Sequence, residues 1–227
     1  MVESIYRRKK GFFMLKIVVF DSGYGGELFA DYLENELPVT DIIRVVDWRN
    51  ADKMQHNARL TRRLAEEALK PYIGKVDLIV FANYLLSLTS LRYFQRKYKN
   101  QRFIGLALNH PANFRYRTAI LTTKAVAKTL RYRIFARQIK ARTCILDDWP
   151  ILIDDGELGH GKIRRDLAPL ISYKPEQLIF TCTQFADLER ELRRIFGHNT
   201  KILNNFEPAA HDICRALRIR GALKKQK

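Results

Sequence analysis

Two stretches of similar sequence decide the fold of this chain: LIVFAN at residues 78–83 and LIFTCT at residues 178–183. Each is a short apolar run rich in β-branched residues, which predicts a strand buried on both faces. A segment with helical periodicity follows each run, over residues 84–98 and 184–196. Because the two runs lie 100 positions apart, the sequence predicts two α/β halves of similar construction.

The remainder of the chain also alternates between predicted strands and helices. Further strands are predicted at 16–20, 41–46, 102–108, 118–121, 143–146 and 201–203. Helices are predicted from the first glycine-rich turn to residue 36 and over 52–72, 124–138, 162–172 and 207–217, and residues 147–150 form a predicted turn. Such alternation indicates parallel sheets with helices on both faces. We therefore expect an α/β fold of two pseudo-symmetric, doubly wound lobes with mainly parallel sheets and an interlobe cleft.

Domain boundaries follow from this alternation. We expect residues 14–110 to form the first lobe together with residues 205–227, because the last predicted helix packs back on the first half. Residues 111–204 form the predicted second lobe. Residues 1–13 are expected to be a basic N-terminal extension, since they precede the first predicted strand and contain four consecutive lysine and arginine residues.

Composition excludes several classes of protein. No apolar run approaches the roughly 18–20 residues that span a bilayer, so we expect no membrane partner. The chain has three cysteines, an odd number without paired spacing, which argues against a disulfide framework and favours the reducing cytoplasm. The five histidines are scattered, and no cysteine or histidine cluster has the spacing of metal ligands, so no metal is expected.

The formal net charge of +17 is concentrated in one region. No acidic residue lies between Asp77 and Asp147, whereas residues 92–142 contain many lysines and arginines and several tyrosines. One interpretation is nucleic-acid binding through residues 92–142, with aromatic rings available for base stacking. The other interpretations are a generally basic proteome and an electrostatic field that attracts small acidic substrates.

The first predicted strand ends in a polar, glycine-rich turn, DSGYGG at residues 21–26. Backbone N–H groups at the start of the following helix can receive an anion such as a carboxylate. Asp21 needs a polar partner between a buried strand and this turn, which predicts a role in a site. Because ligands of open α/β sheets collect at the carboxyl ends of strands, residues 82–84 and 182–184 are expected at the same site.

These motifs, taken in order, resemble the aspartate/glutamate racemase superfamily, and within it most of all the glutamate racemases. The resemblance rests on residues 20–26, on the Ala82-Asn83 position and on Cys182-Thr183, and it extends from about residue 15 to residue 217. It implies two α/β lobes, a site in the cleft between them, no cofactor, and a small acidic amino acid or related acid as the ligand. We also consider a homodimer.

In that family one thiolate removes the α-proton of the substrate, and a second thiol returns a proton from the opposite face. The first cysteine stands in a Cys-Asn-Thr motif and the second in Cys-Thr-His-Tyr. Here Ala82 takes the first position, and a methyl group can neither accept nor donate a proton. The second cysteine is kept as Cys182, but Gln184 replaces the histidine. Ala82 and Gln184 are therefore degenerate catalytic positions.

The resemblance assigns the remaining site residues. Cys182 and Asp21 are the expected catalytic residues. The expected substrate-binding residues are Ser22, Asn83, Thr122, Thr123 and Thr183. The family's Pro-Tyr-Gly substrate loop is absent, because residues 52–55 read DKMQ. The acidic pair of residues 154–155 before Gly156 matches a family motif.

Two expectations concern individual side chains. Cys182 at a helix start is expected to favour the thiolate, because the helix dipole stabilises negative charge there; the alternative is a buried, inert cysteine. Tyr84, two residues after Ala82, is expected to pack rather than to replace the missing acid/base group.

Three functions remain open from the sequence. The first is a racemase-like protein that binds a small acid and uses Cys182 as its surviving acid/base. The second is a catalytically degenerate binding protein of the same fold, which could bind nucleic acid through its basic surface. The third is a cofactor-independent decarboxylase, in which loss of CO₂ creates a carbanion that Cys182 protonates on one face.

Overall fold

The computed structural model of the protein describes residues 14–37, 40–106 and 115–219. It contains two four-stranded sheets, each with strands that run parallel to their neighbours. The first sheet is formed by β1 (Leu15–Asp21), β2 (Thr40–Val46), β3 (Leu78–Phe81) and β4 (Phe103–Gly105). The second is formed by β5 (Thr118–Thr122), β6 (Arg142–Ile145), β7 (Gln177–Phe180) and β8 (Lys201–Leu203). This architecture confirms the predicted α/β fold of two lobes.

The two sheets have equivalent strand orders, β2-β1-β3-β4 and β6-β5-β7-β8. The strands that contain the two similar runs, β3 and β7, therefore occupy equivalent positions, each paired with the first strand of its sheet. Both strands are fully buried, as their continuous apolar sequences predict. The pseudo-symmetry inferred from the sequence is thus a property of the sheet topology.

Helices connect the strands in both lobes. In the first lobe they are α1 (Tyr24–Glu36), α2 (Ala51–His56), α3 (Ala58–Leu69) and α4 (Tyr84–Lys97), with a 3₁₀ turn at Trp48–Asn50. Those that follow β5 are α5 (Lys124–Ala127), α6 (Leu130–Gln138), α7 (Trp149–Asp154), α8 (His160–Tyr173), α9 (Glu189–Phe196) and α10 (Phe206–Leu217), with a 3₁₀ helix at Thr183–Leu188. In the described part of the chain, no helix is long and apolar enough to cross a membrane.

Several predicted helices are interrupted where a polar side chain caps a new helix. The single helix predicted over 52–72 is wrong, because the Asn57 side chain accepts hydrogen bonds from the backbone N–H groups of Arg59 and Leu60 and begins α3. Thr129 likewise caps α6 and divides the helix predicted over 124–138. The segment 184–196 begins as 3₁₀ helix before α9. The predicted turn at 147–150 runs into α7, with Pro150 in its first turn, where the missing N–H costs nothing.

Apolar packing joins the two lobes. One buried cluster contains residues of the first sheet and α1 together with Ile120 and Ile179 of the second sheet. The last helix, α10, packs on the first lobe as predicted, with the Phe206 ring 5.0 Å from that of Phe29. The predicted extension 1–13 and the boundary at residues 110 and 111 lie outside the described residues, and the proposed division into domains stays a prediction.

Candidate active site

A cavity of about 40 Å³ lies where the carboxyl ends of β1, β3 and β7 meet. Of the predicted site residues, it is lined by Asp21, Ser22, Asn83, Thr123, Cys182, Thr183 and Gln184. The remaining lining residues are Met54, Tyr84, Leu85, Val126, Pro150 and Thr181. Among these lining residues there is no lysine, arginine or histidine, so a bound anion would be held by hydroxyl, amide and backbone N–H groups.

Asp21, at the end of β1, is the centre of a hydrogen-bond network between the lobes. Its carboxylate is 2% exposed and accepts hydrogen bonds from the Ser22 N–H at 2.7 Å and from the Asn83 amide at 3.3 Å. It also accepts one from the Thr183 hydroxyl, in the second lobe, at 2.8 Å. Burial raises the pKa of Asp21 to about 6, although these hydrogen bonds lower it in part.

Cys182 lies directly after β7 and donates its thiol proton to the Gln184 side-chain oxygen at 2.9 Å. Burial raises the pKa of this thiol well above its ordinary value, and the negative charges of Asp21 and Asp154 raise it further. The expectation that a helix dipole favours the thiolate is therefore wrong. The segment that follows is a short 3₁₀ helix, and its dipole is outweighed by desolvation. The site holds Cys182 as a protonated thiol.

Gln184, where the family resemblance places a histidine, connects the thiol to a second carboxylate. Its side-chain nitrogen lies 3.5 Å from Asp154, which also accepts a hydrogen bond from the Tyr24 N–H at 3.0 Å. Tyr24 begins α1 in the first lobe, whereas Asp154 ends α7 in the second. The Asp154 carboxylate therefore binds the glycine-rich turn of the opposite lobe, and the Gln184 amide contacts the same carboxylate.

Glycines in the turn allow this close contact between the lobes. A Cβ atom at Gly25 would lie 2.1 Å from the Thr183 hydroxyl and 2.6 Å from the Gln184 backbone nitrogen. At Gly23 it would lie 2.5 Å from an Asp154 carboxylate oxygen. Side chains at these positions would hold the lobes apart, so the glycines are required by proximity and not by a positive φ.

Ala82, where the family resemblance places a thiol, is enclosed by apolar packing. Ala82 is 0% exposed and belongs to the buried cluster that joins the lobes, and it is not among the residues that line the cavity. Its neighbours Asn83 and Tyr84 do line the cavity, together with Cys182. The two segments 82–84 and 182–184 therefore come together at one site, as predicted, but Ala82 itself is enclosed and does not reach the cavity.

The two predicted threonines have different surroundings. Thr123 lines the cavity, but Thr122 is fully buried and is not a lining residue. The Thr122 hydroxyl instead accepts a hydrogen bond from the Thr181 hydroxyl at 2.6 Å, a contact between β5 and the end of β7. Thr122 therefore links β5 to the end of β7 and does not reach the cavity, where contact with substrate was predicted.

Some lining residues carry no signal in the sequence. Met54, Val126 and Pro150 reach the cavity from helices that the sequence places only approximately. Asp154 could have been found from its acidic motif before Gly156, which the family resemblance noted without assigning a role. In the described ranges, no group of three or more histidine, cysteine or acidic side chains is arranged to hold a metal ion.

The two-lobed α/β fold, with a cavity at the strand ends between the lobes, is similar to that of the glutamate racemases. A search of family models found no match. The chain is 23% identical to a glutamate racemase of a Roseiflexus species, over 92% of this chain and 81% of that protein. This relative confirms the resemblance of the sequence to the glutamate racemases.

Solved structures show the same likeness. Escherichia coli glutamate racemase, in complex with L-glutamate and an activator, has a TM-score of 0.79 at 19% identity, covering 93% of this chain and 86% of that one. Francisella tularensis glutamate racemase, in complex with D-glutamate, has a TM-score of 0.76 at 20% identity, covering 94% and 85%. Allantoin racemase from Pseudomonas fluorescens has a TM-score of 0.61 at 15% identity, covering 94% and 98%.

The raised pKa of Asp21 predicts that its contribution to the free energy of unfolding depends on pH. Because the pKa is about 6 in the folded protein and 3.8 ordinarily, the folded state binds more protons between about pH 4 and pH 6. The contribution of Asp21 to the free energy of unfolding therefore falls as pH rises through this window, by about 2 kcal/mol. Urea denaturation of the wild type and of Asp21→Asn, from pH 4.5 to 7, measures it as the difference between the two curves. If the free energy of unfolding changed with pH in the same way for both proteins, the raised pKa of Asp21 would be contradicted.

Proposed function

We propose that this protein is a racemase-like protein that binds a small acidic amino acid, or a related acid, in the interlobe cavity, with Cys182 as its surviving acid/base group. The observation that carries the proposal is the convergence of Cys182, Asp21 and Asn83 on one cavity from three strand ends and both lobes. The binding of L- and D-glutamate by the two structural neighbours supports an amino-acid ligand.

The proposed ligand contacts follow from the polarity of the cavity. Hydroxyl and amide donors of Ser22, Asn83, Thr123 and Thr183 would hold carboxylate groups of the acid. The buried carboxylate of Asp21 is an acceptor for its ammonium group. An ammonium near Asp21 would also favour the ionised form of that carboxylate, because opposite charges lower the pKa of an acid.

The proposed chemistry is proton transfer on one face of the α-carbon. Cys182 acts as a thiolate after it loses its proton to solvent. The thiolate removes the α-proton and leaves an α-carbanion, and the thiol so formed exchanges that proton with solvent and returns one to the same face. Racemisation needs a second acid/base on the opposite face. Ala82 offers none. Tyr84 is committed elsewhere, because its hydroxyl donates to the Phe180 carbonyl oxygen. We therefore expect α-proton exchange with retention of configuration, and not fast racemisation.

A deuterium-exchange experiment tests this function. L- and D-aspartate and L- and D-glutamate are incubated with the protein in D₂O, and loss of the α-proton signal is followed by NMR. We expect exchange without inversion for at least one enantiomer, and its loss in Cys182→Ala. Cys144→Ala is the matched control, because Cys144 is a half-buried cysteine in β6 that does not line the cavity. Exchange that survives Cys182→Ala would show that another group is the acid/base.

A specific observation favours each of the other two candidate functions. A catalytically degenerate binding protein is favoured by the enclosed methyl group of Ala82 and by Gln184, whose amide cannot titrate. A one-thiol decarboxylase is favoured by the raised pKa of Cys182, which keeps on sulfur the proton that a carbanion needs. Binding without exchange in D₂O would favour the first, and release of CO₂ from an amino or dicarboxylic acid would favour the second.

The basic surface adds a separate proposal about partners. All the lysines and arginines within 92–142 are exposed, including Arg131, Arg133 and Arg137 on α6. Nucleic-acid binding by this region stays a prediction, as do a cytoplasmic location and a homodimer.

A further inference from the structure

Tyr84 occupies the cavity from the first lobe and is fixed to the second. It is the first residue of α4, is 4% exposed and lines the cavity. Its hydroxyl donates a hydrogen bond to the carbonyl oxygen of Phe180, at the end of β7, at 3.0 Å, and accepts one from the side-chain amide of Asn205. The ring therefore spans the space between the carboxyl ends of β3 and β7, where an acid would bind.

The contribution of Tyr84 to this site is volume and not proton transfer. Burial raises the pKa of its phenol well above the ordinary value, and the neighbouring Cys182 raises it further. The phenol proton is used in the bond to Phe180. The ring is also part of the buried cluster that joins the lobes, so packing holds it in its part of the cavity together with these hydrogen bonds.

The space that remains is small. The cavity of about 40 Å³ has room for about three water molecules, so any of the proposed acids must displace lining side chains to enter, and a longer acid must displace them further. The lobes are in close contact where Gly25 meets Thr183 and Gln184, so additional space for a ligand must come from the side chains that line the cavity. Tyr84 is thus the largest side chain whose removal would enlarge the space beside Cys182.

We propose that Tyr84 sets the length of acid that the cavity accepts and restricts it to acids shorter than glutamate, such as malonate or aspartate. This inference rests on the proposed function, because it narrows the ligand of the same site. One extra or missing methylene in a hydrophobic pocket changes selectivity by about 10- to 200-fold. Glutamate has one methylene more than aspartate, so it is disfavoured by a factor in that range.

Calorimetric titration with malonate, with L- and D-aspartate and with L- and D-glutamate tests the proposal. We expect the wild type to bind an aspartate enantiomer or malonate at least about tenfold more tightly than either glutamate. Tyr84→Thr removes the ring, and we expect this ratio to fall to about one or to reverse. Tyr84→Phe is the matched control, because it keeps the ring and loses only the hydrogen bonds to Phe180 and Asn205. We expect it to preserve the wild-type ratio.

The outcomes separate this proposal from the proposed function. If the wild type binds glutamate as tightly as aspartate, or if Tyr84→Thr leaves the ratio unchanged, the role of Tyr84 is overturned and the proposed function stands. If the wild type binds no acid but Tyr84→Thr binds glutamate, Tyr84 is the barrier and the proposed function fails. If neither protein binds any of these acids, both ideas are overturned. The wild-type ratio alone decides the case if Tyr84→Thr does not fold.

Discussion

Replacing Ala82 with cysteine is expected to raise the rate of racemisation by about 10²- to 10⁴-fold, which is the usual contribution of a positioned general acid or base. In the proposed function Cys182 acts on one face of the substrate, and the family resemblance places residue 82 at the other face. The methyl group of Ala82 is enclosed beside the cavity that Asn83 and Tyr84 line, and a cysteine would add a thiol at this position. Inversion requires a group on each face, so the missing partner limits the rate. Circular dichroism of both enantiomers of aspartate and glutamate, followed over time, measures the change.

Two variants make this result specific. Ala82→Ser introduces a side chain of similar size whose hydroxyl does not ionise near neutral pH, and we expect it to leave racemisation at the wild-type level. Cys182→Ala in the Ala82→Cys background is expected to remove the gain, because only one thiol then remains. Because Tyr84 crowds the same cavity, Ala82→Cys with Tyr84→Thr should extend the gain to glutamate. A folded Ala82→Cys variant that binds aspartate or glutamate but racemises it no faster than the wild type would show that residue 82 does not face the substrate opposite Cys182.

Replacing Gly25 with alanine is expected to lower the free energy of unfolding by about 3 kcal/mol or more, at the upper end for overpacked sites. The new methyl group would overlap the Thr183 hydroxyl and the Gln184 backbone nitrogen. A backbone atom cannot turn aside, so the lobes must separate. Separation breaks the hydrogen bond from the Thr183 hydroxyl to Asp21 and the one from the Tyr24 N–H to Asp154. Urea denaturation measures the loss, and titration with the acids measures the accompanying loss of affinity.

Gly161→Ala is the matched control for this variant. Gly161 is also the second residue of a helix, α8, and a Cβ atom there would have no atom within 4 Å. Alanine is favoured over glycine in a helix by about 0.5–1 kcal/mol, so this variant is expected to be as stable as the wild type or slightly more stable. Equal effects of the two substitutions would show that the contact at Gly25 does not hold the lobes together.

The fold could be predicted from the sequence because its signals are local. The buried runs that form β3 and β7 are continuous and apolar, and each is followed by helical periodicity. The errors occurred where one polar side chain decides a boundary. Asn57 and Thr129 each begin a new helix by capping it, and apolar periodicity continues across both positions without showing the break.

The candidate site was predictable in composition but not in its electrostatics. The positions of Asp21 and Cys182 follow from strand ends and from the family resemblance. The protonation of Cys182 could not be predicted from the sequence, because it depends on the burial of this thiol and on the charges of Asp21 and Asp154, which are distant in sequence. The same is true of Tyr84, whose partner Phe180 belongs to the other lobe. Such contacts between lobes have no local pattern.

The return of α10 to the first lobe has a consequence for synthesis on the ribosome. The first sheet is complete once β4 has emerged, but Phe29 and Leu33 of α1 share their buried cluster with Phe206 and Ile213 of α10. These apolar side chains therefore lack part of their cover while the whole second lobe is translated. Nascent chains usually fold their N-terminal domain first. In this protein the contiguous second lobe, β5 to β8, is the first to have all its own strands and helices in place, and the N-terminal lobe must wait for α10, the last described helix.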